Sequence, residues 1–64
     1  MNNPDAYSLN IVLCYSPDDD GWYAQEFDLK RKDNATRVSR HIFRTRDALV
    51  AALKSGTHRW NKWD

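Results

Sequence analysis

A chain of 64 residues, 41% of them apolar, makes one small domain, since chains of this size bury only about 60% of the surface they expose unfolded. One cysteine excludes an internal disulfide and a thiolate zinc cage, and two glycines exclude a glycine-rich phosphate loop. The net charge of +1 excludes a uniformly basic nucleic-acid binder.

The charge is nevertheless segregated along the chain. Asp5, Asp18, Asp19, Asp20, Glu26 and Asp28 come first, and Lys30, Arg31, Lys32, Arg37, Arg40, Arg44 and Arg46 follow, opposed by Asp33. Such a bipolar molecule can steer a partner, although the asymmetry says nothing of fold.

Met1 to Tyr7 reads as a loose N-terminus, with Pro4 unable to donate to a ladder. No basic and apolar leader is visible there, and no apolar run reaches bilayer length, so the expected setting is cytoplasmic and reducing, away from membranes. Leu9 to Tyr15, "LNIVLCY", is dense in branched apolar residues and ends at Ser16–Pro17, which predicts a strand. "SPDDDG" then reads as a hairpin connection, with Pro17 presetting φ, aspartates tolerating turn geometry and Gly21 free to take positive φ.

Trp22 to Leu29 follows as a second strand. Alternation puts Tyr23, Phe27 and Leu29 on one face and Trp22, Ala24, Glu26 and Asp28 on the other. We expect the second set, Trp22 included, to face away from the helix. A turn tipped by Asp33–Asn34 leads to a third strand, Arg37 to Phe43, in which Ile42 and Phe43 break alternation as a bulge would.

Thr45 is a suitable N-cap, and Asp47 sits where the helix dipole favours a carboxylate. Ala48, Leu49, Ala52 and Leu53 form the inner face of the helix, and Gly56 ends it. The tail "THRWNKWD" is polar and aromatic, with Trp60 expected to fold back and Trp63 to stay exposed. The predicted fold is thus α+β, a three-stranded antiparallel meander with one C-terminal helix on one face. It forms a single domain over 1–64, with loose tails at 1–7 and 57–64.

Three consecutive carboxylates do not make a calcium loop, which needs oxygens at alternating positions and a distant bidentate carboxylate. Asp18, Asp19 and Asp20 are therefore expected to solvate a turn, with no metal bound. His41 and His58 lie in no nucleophile or zinc motif, and Cys14 sits in an apolar strand where a small core residue is the ordinary reading. Neither an enzyme nor a cofactor is expected.

The remaining readings are of binding. Trp22, Glu26, Asp28 and Arg40 are the candidate contact residues for a protein partner, with tryptophan as anchor. The alternative assigns Lys30, Arg31, Lys32, Arg37, Arg40, Arg44 and Arg46 to DNA phosphates, and a third reading is a small structural subunit of a larger complex.

Two resemblances bear on this choice. "SPDDDGWYAQEFDL" and "TRDALVAALKSG" resemble the first hairpin and the following helix of HicB-type antitoxins, over roughly Leu9 to Gly56. That resemblance implies a partner-binding module that occludes a nucleic-acid-binding or nuclease protein, and the small size without a catalytic set suits a phage or mobile-element regulator or inhibitor. Asp20–Gly21–Trp22, Ala24, Phe43–Arg44–Thr45 and Ala48 are similar to the arm-type DNA-binding domain of phage integrases, which implies DNA reading by the exposed sheet face.

Overall fold

The computed structural model describes residues 5–31 and 35–63. In chain order it contains β1 (Asp5–Ser8), β2 (Ile11–Ser16), β3 (Gly21–Phe27), β4 (Thr36–Val38) and α1 (Arg46–Ser55). The strands form one antiparallel sheet in sequence order, with α1 across one side. The α+β reading therefore holds, with four strands rather than three.

The additional strand is β1, in the segment read as a loose terminus. The segment "DAYS" has only Tyr7 to favour a strand by propensity. It is held from outside, by pairing Asp5 with Leu13 and Ala6 with Val12, by Tyr7 against the core, and by an ion pair from Arg46 Nε to Asp5 Oδ2 at 2.9 Å. The predicted turn tip at Asp33–Asn34 lies outside the described residues.

The hairpin between β2 and β3 is as expected, but its turn works differently. Asp20, not Gly21, takes the left-handed conformation, with φ 48°. Tyr15 Oη donates to Asp20 Oδ1 at 2.6 Å and Ser16 Oγ to Asp19 Oδ2 at 3.0 Å, so the carboxylates tie the turn to the strand that enters it. Among the described residues no group of three His, Cys, Asp or Glu side chains is placed to hold a metal.

Direct cross-strand partners share a face of the sheet. Leu13 opposes Ala24, and both are fully buried in one cluster with Leu49 of the helix. That assigns the Leu13–Ala24 row, and with it Trp22 and Glu26, to the helix side. Trp22 indeed packs against this cluster, with Tyr7, Ile11, Phe43, Val50, Leu53 and Trp60. The expectation that Trp22 and Glu26 face away from the helix is reversed.

Helix α1 begins where the residues place it. Thr45 Oγ1 accepts from Ala48 N at 3.0 Å, and Gly56, at φ 77°, ends the helix in the left-handed region. Its inward side is Leu49 and Ala52, with Leu53 half-buried, whereas Ala48 is exposed. Val50 and Leu53 pack partly buried against the cluster, so the inward stripe takes in Val50 rather than Ala48.

The third predicted strand is cut short at Val38. Ser39 is 4% exposed, and its N–H still bonds to Ala24 O at 2.8 Å. The Ala24 N–H, however, is satisfied by Ser39 Oγ at 3.0 Å, which in turn donates to His41 O at 3.2 Å. A side chain has replaced a ladder carbonyl, and the main chain is released to turn away. It returns at Phe43, which exchanges two backbone bonds with Trp22, of 2.6 and 2.8 Å. Ser39→Ala leaves a buried N–H unpaired and is expected to cost on the order of 1 kcal/mol, read as a lowered urea midpoint with unchanged slope.

Residues 57–63 are not a loose tail. Trp60 bridges to Ser39, Arg40 N donates to Arg59 O at 2.8 Å, and Asn61 N donates to Val38 O at 2.9 Å. The outer side of β4 is thereby covered. Trp60 is half-buried as its folding back requires, but Trp63 is half-buried too, because the Arg37 guanidinium lies 4.9 Å from the Trp60 ring and 4.5 Å from that of Trp63. Arg37 also pairs with Glu26 Oε1 at 2.6 Å.

Candidate protein-binding face

The sequence-derived contact residues do not come together on one open surface. Trp22 lies on the helix side and meets Tyr15 edge-on, with ring centroids 5.7 Å apart. Glu26 is held by Arg37 and by Asn10 Nδ2 at 3.4 Å. Asp28 organises the β3–β4 turn: its N–H donates to Ala35 O at 2.9 Å and its Oδ1 accepts from Lys30 N at 3.0 Å. Arg40 is exposed at the edge of the sheet, next to Arg59.

The basic residues are dispersed as well. Lys30 and Arg31 are exposed at the β3–β4 turn, and Lys32 lies outside the described residues. Arg37 is engaged by Glu26 and two tryptophans, and Arg46 by Asp5. Arg44 lines a cleft of about 650 Å³ with Asp19, Asp20, Ile42 and Thr45. A phosphate there would meet two carboxylates with that one guanidinium.

A different surface emerges from the register. Ala6, Val12, Gln25 and Val38 form a row across all four strands, flanked by the pairs Cys14–Tyr23 and Phe27–Thr36. These rows alternate with the helix-facing ones and point to the other side of the sheet. Val12, Cys14, Tyr23, Gln25, Phe27 and Val38 are all half-buried, and none belongs to the cluster under α1. No residue of these rows is charged at neutral pH.

Cys14 and Tyr23 reinforce that neutrality. Burial pushes the Cys14 thiol up, against a smaller lowering from its hydrogen bond with Tyr23. The Tyr23 phenol is also raised, first by burial and then by the neighbouring Cys14. A nucleophilic cysteine needs the opposite shift. His58 has structural neighbours: its Nδ1 is 3.3 Å from Ala52 O and its ring meets Trp60 edge-on, with centroids 4.8 Å apart.

Sequence reasoning missed this face because β3 is apolar on both sides, and Trp22 drew attention to the wrong one. The available signal was Ala24, the one small apolar side chain of the strand, which marks where a helix can approach. No protein-family model, no curated protein and no solved structure matches the chain. Among the described residues, no helix is long and apolar enough to cross a membrane.

Proposed function

We propose that this protein is a non-catalytic binding module that acts on protein rather than nucleic acid, as a regulator or inhibitor of phage or mobile-element type. The observation that carries this reading is the charge-free, half-exposed apolar surface of Val12, Cys14, Tyr23, Phe27 and Val38, opposite the helix. Interface cores are depleted in charge and enriched in tyrosine and phenylalanine, whereas a DNA-reading sheet presents lysine and arginine to phosphates. The half-buried Cys14, whose thiol is pushed up by burial, supports a packing role for that side chain. The resemblance to HicB-type antitoxins points in the same direction.

A second reading, DNA binding, rests on one observation: Arg40 and Arg59 lie side by side on the outer edge, joined by a backbone bond of 2.8 Å. Capture of partners from the native host, with and without nuclease, separates the two. Protein binding predicts capture that survives nuclease and is lost in Phe27→Asp. Micromolar binding to random-sequence duplex at physiological salt, falling steeply with added salt and abolished by Arg40→Glu, would overturn it.

A further inference from the structure

Gln25 occupies the centre of the open face. It is flanked in its own row by Val12 and Val38, and along β3 by Tyr23 and Phe27. Its carboxamide makes no hydrogen bond to any described residue, although the residue is half-buried. An amide carries both donors and an acceptor, so it is complementary to itself.

The surrounding rows bear no charge, so two copies of the face meet without repulsion. Two-fold pairing sets each patch against its own copy, and an uncharged patch meets that condition without matched charges. The thinness of the core argues the same way. Among the described hydrophobic residues only Leu13, Ala24 and Leu49 are completely buried, and a core this small is a setting in which oligomerisation, a disulfide or a metal adds stability. One cysteine cannot make an internal disulfide, and a second copy is the one partner present wherever the chain is made.

We propose that the open face is closed by a second copy of this chain, sheet against sheet, with the two Gln25 carboxamides paired at or beside the two-fold axis. This rests on the protein-binding reading and names the occupant of its surface. Strands spaced about 4.8 Å apart with a rise of about 3.3 Å per residue give a face of roughly 400 Å². The two faces together total about 800 Å², below the roughly 1,000 Å² that a stable specific interface clears, so the pairing is weak and transient and any other protein captured by the face competes with it.

Sedimentation equilibrium over micromolar to millimolar concentrations tests this directly. The wild type is expected to interconvert between monomer and dimer. Gln25→Glu places two carboxylates at the axis and should weaken the dimer about tenfold or more at pH 7. At pH 4, where an ordinary glutamate is about two-thirds protonated, it should recover part of the difference from the wild-type value measured at the same pH. Phe27→Asp, which also removes an aromatic contact, should weaken the dimer at both pH values, with far-UV circular dichroism confirming that both variants fold. A wild type that stays monomeric throughout overturns the proposal, as does a dimer indifferent to both substitutions. A monomeric wild type whose captured protein is lost in Phe27→Asp removes the self-pairing and leaves protein binding standing. Loss of neither removes both.

Discussion

Leu49→Ala and Leu13→Ala are each expected to bring this protein to the edge of unfolding at 37 °C. Both side chains are completely buried, and they belong to the cluster that joins α1 to β2 and β3. Truncating a buried leucine costs about 2–5 kcal/mol, the upper values arising where the surroundings cannot collapse into the cavity. Collapse is restricted here because the third member of the cluster is Ala24, which has no further atoms to offer. A chain of this length has a total stability on the order of 3–10 kcal/mol, so one such cavity removes a large part of it. Thermal melts should show the midpoint falling by tens of degrees, at about 4–8 °C per kcal/mol. Leu53→Ala, at a half-buried position on the same helix, should cost clearly less. Equal losses at Leu49 and Leu53 would mean that the helix is rotated from the orientation described.

The helix could be read before the sheet because its signals are local. Thr45, Asp47 and Gly56 each act within one turn, and all three occupy their expected places. The β2–β3 hairpin is equally local, with "SPDDDG" between two apolar runs. Local signals do not state which face of β3 is inward. Trp22 and Tyr23 are both large and aromatic, and the choice between them depends on Leu49, more than twenty residues away, seating over Ala24. Strand β1 was illegible for a related reason. Its stability comes from β2, from the seating of Tyr7 against the core and from Arg46 forty-one residues along the chain, and of these only the Tyr7 side chain is visible in "DAYS". The early end of β4 follows from one hydroxyl, that of Ser39, taking a ladder position. The candidate face was therefore present in the sequence as the opposite phase of the same alternation, and a long-range contact was needed to choose it.

Gly21→Ala should destabilise the fold by about 1–3 kcal/mol, the usual range for forced overpacking, and Gly21→Val by more. The reason is not backbone freedom, since Gly21 is a strand residue and the left-handed turn position belongs to Asp20. Gly21 is buried, and a β-carbon there would run into Ile42 Cγ2 and lie 2.9 Å from Phe43 O. Ile42 is 46% exposed and can swing aside. Phe43 cannot, because its carbonyl and amide are locked to Trp22 by the bonds of 2.6 and 2.8 Å. Relieving the clash therefore means pulling the segment before α1 off the sheet, which loosens Phe43 from the core and shifts the Thr45 cap. The two valine methyls add to that displacement, so the series Gly, Ala, Val should show a stepwise fall in midpoint. Tryptophan emission should move to longer wavelength as Trp22 becomes more exposed. A thermal midpoint in Gly21→Ala within a degree of the wild type would show that residues 42 and 43 do not lie against the hairpin as described. The irregular return of the chain from Ser39 to Phe43 would then need another cause.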